Sequence, residues 1–535
     1  MVSLIKDTLF PATVFKSDPV TAAAGHGRLY NYSCRDLERF MDKISRPQSA
    51  EDLRLALSSL DKNSEETAAK TGRLSARVRL LSLFDEGSFV ETQKYLRRSA
   101  TEFDDSAASD FEGVICGYGS VCGRLVFAFS QDFSRMSGAL DAAHAKKISD
   151  LYEMAKKNGA PVVGIFDSAG ACVMEGVSAL AGYGKIMKAV SSASGIIPQV
   201  ALIPGVCAGS AAAIAAMFDA VVISSKNGKL FVNSPFIVGD EVAKADFAEA
   251  EGLASIVTAE EPEAIGAVRN ILSLLPSNNA EGTVYTGATD ENTQGVAVAY
   301  GDNIKDLILS LSDDGLVTEL SAGYGKEMVT ALARLGGAVV GIVANDHSVN
   351  AGALTPAAAR KAARFVNLCD SFNIPVLTLV DTEGLEVSAE AESRSYAAEL
   401  AKLASAFAAS ETAKVTVVLG EAYGAAYTVM GSKSIGADMV YALDSAKIGV
   451  MKADRAVEFA WKDKVFDAED PQSARKELEA EWNATLSSPA EAAARGEVDD
   501  IIAADELKPR ICAAFEMLGS KSEAPLYRRH SNYPL

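Results

Sequence analysis

Two stretches of this 535-residue chain combine small residues in a way that could do chemistry: "GVCAGSAAAIAAMFDA" (205–220) and "GEAYGAAYTVMGSKSIGAD" (420–438). In each, an apolar run ends at a glycine, a second glycine follows (Gly205 then Gly209, Gly420 then Gly424), and alanines continue the chain. Where such a loop opens a helix, the first-turn amides have no intrahelical acceptor and the helix dipole makes the spot electropositive. With tiny side chains, a carbonyl oxygen can approach those amides and carry negative charge there. Such an oxyanion hole made of backbone is worth roughly 2.7–4 kcal/mol per donor. One loop of this kind taken alone favours close helix packing. Two at matched positions of a duplicated chain favour the chemical reading.

Other chemistries find little support. The histidines stand at 26, 144, 347 and 530, not at metal-ligand spacing, so no metal is expected. His144 falls on a helix after a Gly loop and reads as a satisfied structural residue rather than a base. No GxSxG, Walker A or strand-following GxGxxG is present. "VMKAD" (450–454) contains the Met-Lys pair of biotin attachment sites but lacks the Met that completes it, so Lys452 is not read as a biotinyl-lysine.

The elements that would position the two loops are repeated. "SGALDAAHAKKISDLYEMAKKNGAPVVGIFDSAG" (137–170) lies on "AGALTPAAARKAARFVNLCDSFNIPVLTLVDTEG" (351–384), pairing Gly138 with Gly352, Pro161 with Pro375, Asp167 with Asp381 and Gly170 with Gly384, each 214 positions on. The small-residue loops follow at an offset of 215, Gly205 to Gly420 and Gly209 to Gly424. A single spacing held over so many positions means two copies of one domain. Each copy reads as an apolar strand ("RLVFAFS", "AVVGIVA"), a Gly-containing loop and an amphipathic helix with Lys or Arg on its polar face. A strand opening after a proline comes next ("PVVGIFDS", "PVLTLVDT"), then a helix, a third strand ("PQVALIPG", "AKVTVVLG"), the loop and a helix. Strands alternating with helices imply parallel β-α units in an α/β fold. The expected division is an N-terminal helical extension (1–100), a first domain (101–280), a polar linker (281–305) and a second domain (306–535).

Composition bounds the rest. A net charge of −20 without a basic run argues against nucleic acid or anionic lipid as partner. Cysteines at 34, 116, 122, 172, 207, 369 and 512 are scattered singly, which suits a reducing cytoplasm. The N-terminus lacks the charged and apolar regions of a secretion signal. The apolar stretch 200–224 is long enough to span a membrane, but Pro204, Gly205, Gly209 and Asp219 make it read as strand, tight loop, buried helix and strand.

With the repeat in view, further stretches carry a resemblance: "RLSARVRLLSLFDEGSFVE" (73–91), "SQDFSRMSGALDAAHAKKI" (130–148), "EGVSALAGYGKI" (175–186), "LLSLLPSNN" (271–279), "KAARFVNLCDSFNIPVLTLVD" (361–381), "GSKSIGADMVYA" (431–442) and the closing "RRHSNYPL". From about residue 70 to the end the chain resembles the carboxyltransferase subunit of biotin-dependent acyl-CoA carboxylases and the related sodium-pumping decarboxylases. The resemblance implies two tandem crotonase-like (ClpP/crotonase) domains, the first holding the acyl-CoA and the second holding biotin borne on a separate carrier chain, within a ring of six. Gly209 and Ser210 would hold the thioester enolate oxygen, and Ala425 and Ala426 the ureido oxygen of biotin. Gly138, Ala139, Gly170 and Ala171 would line the acyl-CoA side, Gly384, Gly424 and Tyr427 the biotin side, and Thr428 would influence acyl choice.

Implied with these are a biotin carboxyl carrier protein and a biotin carboxylase subunit as partners, or membrane subunits of a decarboxylase. The expected reaction moves carboxylate between carboxybiotin and the α carbon of a short-chain acyl-CoA, propionyl-CoA/methylmalonyl-CoA first and acetyl-CoA second. One alternative is decarboxylation of methylmalonyl-, malonyl- or glutaconyl-CoA; another is a non-catalytic scaffold subunit. In either direction the protein supplies placement and two anion sites, which accounts for the scarcity of histidine and paired acids. The chain departs from the family pattern where Cys172 takes an arginine position, where "EGL" (383–385) replaces Pro-Gly-Phe, and where Gly209-Ser210 and Gly424-Ala425 replace Gly-Gly.

Overall fold

Runs of β-branched and aliphatic residues form strands buried along nearly their whole length, which only a sheet covered on both faces allows. The computed structural model describes residues 49–98, 111–287, 303–313 and 315–522; the extreme N-terminus to residue 48, most of the expected linker and the closing "RRHSNYPL" lie outside the described residues. The chain divides after Ala56, and only the start of helix α1 (Ala50–Lys70) is described before that point. All that follows concerns Leu57 onward.

Helix α2 (Ala76–Leu83), capped by the Ser75 hydroxyl on the Val78 amide, precedes the first sheet. That sheet holds β1 (Val90–Thr92), β2 (Val114–Val121), β3 (Arg124–Gln131), β4 (Val162–Ile165), β5 (Gln199–Ile203), β7 (Ala220–Ser224) and β9 (Ile256–Thr258) in that order, with β6 (Val206–Ala208) and β8 (Lys229–Phe231) forming a separate pair. The first three strands are antiparallel and the rest parallel. Strand β1 falls in a stretch read from sequence as helical; three residues on a sheet edge are too few to show a period of two. Helices α3 (Ala142–Asn158), α4 (Val177–Ala193) and α5 (Ser210–Ala216) fill crossovers, and α6 (Glu261–Leu274) follows β9. The stretch 200–224 folds as strand, loop, helix and strand, with β6 added, and no helix among the described residues is long and apolar enough to cross a membrane.

The second sheet repeats the order: β10 (Val317–Glu319), β11 (Met328–Leu335), β12 (Ala338–Asn345), β13 (Val376–Thr382), β14 (Lys414–Tyr423), β15 (Met439–Leu443) and β17 (Asp500–Ile502), with β16 (Lys447–Gly449) beside the end of β14. Strands β11 and β12 begin 214 positions after β2 and β3, and helix α7 (Pro356–Ser371) begins 214 after α3. Helices α8 (Tyr396–Ala409), α9 (Gly424–Val429) and α10 (Ala453–Ala460) follow. One apolar core joins the copies, taking Val163, Val200 and Leu272 from the first and Leu332, Phe365 and Val418 from the second, while each copy keeps a second core of its own. Before the undescribed stretch, the expected linker is already tied to the second copy, with Thr286 donating to the Gly337 carbonyl.

One expectation is corrected. The helices after the Gly loops do not carry all their basic residues on a solvated face: Lys147 on α3 and Lys361 on α7 are 2% and 6% exposed. Their ammonium groups donate to the carbonyls of Val114 and Met328, the first residues of β2 and β11. A strand's end leaves a carbonyl without a ladder partner, and a long lysine that reaches it satisfies both groups. Burial pushes the Lys361 ammonium down to about 8.

Candidate functional site

Strand β5 ends at Ile203 and the chain turns through Pro204-Gly205 into β6. A Cβ on Gly205 would stand 2.1 Å from the Asp167 carboxylate, so only glycine lets that side chain pass. Asp167 Oδ1 accepts from the Val206 amide at 3.0 Å and fixes the entry to the small-residue loop. Two arginines hold the same carboxylate: Arg73 at 3.2 Å and Arg79, almost fully buried on α2, at 2.9 Å. Arg79 also reaches Glu261 at the start of α6.

Gly209 then adopts φ 63°, ψ −126°, a conformation open only to glycine, and Ser210 begins α5 exposed. Among the described residues nothing lies within 4 Å of a Cβ built on Gly209, so glycine is required there by its backbone angle and not by crowding. Its own amide donates to the Phe231 carbonyl at 2.9 Å. The first amide beyond that commitment belongs to Ser210.

The remaining first-copy residues come together beside this loop. Met136, Ser137 and Gly138 have positive φ in succession, and the Asp167 carbonyl occupies the space a Cβ on Gly138 would need, 2.1 Å away. Leu140, next to Ala139, donates to the Gly170 carbonyl at 2.9 Å and bridges Ala171. Cys172 is buried, and the guanidinium of Arg98 lies 4.0 Å from its sulfur while pairing with Asp141 at 3.1 Å. A cation therefore does stand beside this loop, delivered from a distant segment that loop spacing could not reveal. His144 is sealed in, with Nδ1 2.9 Å from Glu112 and Nε2 3.2 Å from Gln131, whose carbonyl holds the Asp167 amide.

The second copy repeats the frame. The Asp381 carbonyl fills the Cβ space of Gly352, Leu354 donates to the Gly384 carbonyl at 2.9 Å, and Asp381 Oδ1 accepts the Glu421 amide at 2.9 Å. Gly424 has φ 60°, and Ala425 is exposed on α9 while Ala426 is buried. Tyr427 packs in the shared core; its hydroxyl has no hydrogen-bond partner among the described residues, and burial pushes its pKa up to about 12. Thr428 is exposed and donates to the Gly424 carbonyl at 3.3 Å. The electrostatics differ between the copies: in place of arginines, Asp381 has His347 Nδ1 at 3.3 Å, and burial raises its pKa. The Asp167 and Asp381 clamps went unassigned at the level of sequence, although their pairing at the 214 offset was the available signal. Among the described residues no group of three or more His, Cys, Asp and Glu is placed to hold a metal.

Two copies of a mixed sheet with parallel crossovers, each opening a glycine turn onto a small exposed residue, define a duplicated α/β fold. A family model described as a carboxyl transferase domain matches residues 67–533, and the chain belongs to that family. It is 38% identical over 487 residues to the methylmalonyl-CoA decarboxylase subunit alpha of Propionigenium modestum, covering 87% of this chain and 94% of that one. It is also 38% identical over 508 residues to the propionyl-CoA carboxylase beta chain of Saccharopolyspora erythraea, covering 88% and 93%. Among solved structures, transcarboxylase 12S, a hexamer with methylmalonyl-coenzyme A bound, superposes with a TM-score of 0.86 at 32% identity over 95% of this chain and all of that one.

Proposed function

We propose that this enzyme transfers a carboxyl group between biotin on a separate carrier chain and the α carbon of a short-chain acyl-CoA, propionyl-CoA/methylmalonyl-CoA before acetyl-CoA. The observation that carries the reading is the duplicated turn: Gly209 and Gly424, both at positive φ, open onto the exposed small residues Ser210 and Ala425 at matched places in the two copies. On this reading the first copy, within 101–280, takes the acyl-CoA, and the second, within 306–535, takes biotin, joined through 281–305 and preceded by the 1–100 extension.

Each turn has room for an incoming oxygen. Among the described residues nothing lies within 4 Å of a Cβ built on Gly209, and only the Val450 carbonyl, at 3.1 Å, stands that near a Cβ built on Gly424. Biotin, when bound, supplies a carrier nitrogen from which the carboxyl group leaves or to which it returns. The Ala425 and Ala426 amides would hold the ureido oxygen, with Gly384 and Tyr427 shaping the slot. The Ser210 amide would hold the thioester oxygen as it gains charge, with Gly209 setting the turn and Gly138, Ala139, Gly170 and Ala171 walling the acyl side. Asp167 and Asp381 orient these amides by clamping the residue that follows each loop's first glycine. Thr428, exposed one turn along α9, is placed to tune acyl choice.

A carrier and a biotin carboxylase, or membrane subunits in a decarboxylase, complete the machinery; the chain assembles as a hexamer, works in the cytoplasm and needs no metal. The test mixes the purified chain with a biotinylated carrier and carboxyl-labelled methylmalonyl-, malonyl- or glutaconyl-CoA and follows label onto biotin. Transfer from at least one is expected. No transfer from any of them overturns the reading, and absence of acyl-CoA binding by calorimetry would leave a scaffold subunit in its place.

A further inference from the structure

Residues 447–452 fold back over the Gly424 turn. Strand β16 pairs in parallel with the end of β14, Glu421 beside Lys447 and Tyr423 beside Gly449. Lys452 then caps the start of α10 and puts its ammonium between two carboxylates: Glu383, on the loop after Asp381, and Glu421, three residues ahead of Gly424, each at 3.3 Å. Lys447 stands 4.0 Å from the other oxygen of Glu421. The Glu421 side chain is only 8% exposed, whereas Lys452 and Glu383 are about 40% exposed.

Together with Asp381, which faces His347, three acidic residues therefore lie on the two segments that adjoin the second-copy turn, the end of β14 and the end of β13 with the loop after it. In the first copy the positions matching Glu383 and Glu421 are Ala169 and Val206, neither of them acidic. An anion forming at the turn would develop beside the segments that carry those carboxylates. Glu421, being nearly buried, would be poorly screened by solvent.

We propose that Lys452 is a positioning residue for carboxyl transfer: together with Lys447 it offsets the charge of Glu383 and Glu421 and so lets the Gly424 turn accept a developing negative charge. The inference rests on the reading that this turn holds the ureido oxygen of biotin. Burial works against the ammonium, but Glu421 and Glu383 outweigh it and hold its pKa above the ordinary lysine range, so the cation persists at neutral pH. The Met-Lys pair of "VMKAD" is thus an internal counter-charge. An ion pair that mattered only for the surface would contribute about 0–1 kcal/mol of stability and nothing to the reaction.

The test uses the full chain, a biotinylated carrier and labelled methylmalonyl-CoA, with calorimetry for acyl-CoA binding and melting temperature for the fold. Lys452→Met is expected to lower transfer by at least about tenfold, with acyl-CoA affinity and melting temperature nearly unchanged. Lys452→Arg should keep most of the activity. Replacing the acids as well, Lys452→Met with Glu383→Gln and Glu421→Gln, should restore it, because the charge that needed cancelling is gone. Should Lys452→Met lose its fold, the triple variant still decides: transfer near the wild-type rate supports the proposal. Wild-type activity in a folded Lys452→Met, or a folded triple variant that stays inactive, overturns it. A wild-type chain that transfers nothing to biotin would instead overturn the underlying carboxyltransferase reading.

Discussion

At the scale of single residues, the two glycines of the first-copy loop are required for opposite reasons. Gly209 must be glycine for its backbone angle although its surroundings are open, while Gly205 must be glycine because Asp167 occupies its Cβ position. Gly209→Ala should therefore cost about 1–3 kcal/mol in strain, read as a lower melting temperature. At Ala425, which is exposed, bulk threatens access rather than packing. Ala425→Val is expected to lose at least about a hundredfold in turnover, comparable to removing one oxyanion donor. The oligomer should stay intact by size-exclusion, and acyl-CoA affinity, housed in the other copy, should hold. Ser210→Val should weaken enolate stabilisation and spare the biotin half-reaction. Were both variants to lose stability in step with activity, the small residues would be serving helix packing, since overfilling a core costs about 1–3 kcal/mol wherever it occurs.

At the scale of elements, α2 is the brace of the first-copy loop. Arg79 lies between Asp167 and Glu261, and all three are buried, so removing the cation leaves Glu261 buried without it and Asp167 with Arg73 alone. Arg79→Met should cost about 3–5 kcal/mol, measured by denaturant unfolding. Arg73→Met touches the same Asp167 from a more exposed position, 19% for its side chain, and should cost about 1 kcal/mol or less. Equal costs for the two would mean that α2 contributes only apolar packing through Leu80 and Leu83.

At the scale of the whole molecule, the copies meet over a common core and a polar seam. A cavity of about 80 Å³ lies there, lined by Asp219 of the first copy and by Ser321, Tyr324, Arg360 and Arg364 of the second. Arg364 donates to the Phe218 carbonyl at 2.9 Å, and desolvation pushes the Asp219 carboxyl up to about 7 although the Gln199 amide and Arg364 favour its ionised form. The folded state thus holds this proton more tightly than the unfolded chain does. Its contribution to stability is full below the ordinary carboxyl range and is lost as pH rises from about 4 towards 7. Asp219→Asn removes that dependence, so its melting temperature relative to wild type should climb between pH 4 and 7. A constant difference across that range would show that Asp219 titrates normally.

The sequence by itself determined the duplication, the order of three central strands and the helices between them in each copy, and the placing of a small-residue loop after the third of these strands. These features are local: a period of two or 3.6, a glycine where a turn needs one, and a repeated offset are all written along the chain. Only the tertiary structure decided which charges meet. Arg73 reaches Asp167 across 94 positions, and Lys452 reaches Glu383 across 69 and Glu421 across 31. It also turned Lys147 and Lys361 inward, a choice that helical periodicity cannot make because it depends on where a neighbouring strand leaves a carbonyl unpaired. Propensity acts over a few residues, whereas an ion pair is set by packing that brings distant segments within 4 Å, and so the two loops were legible while the charges around them were not.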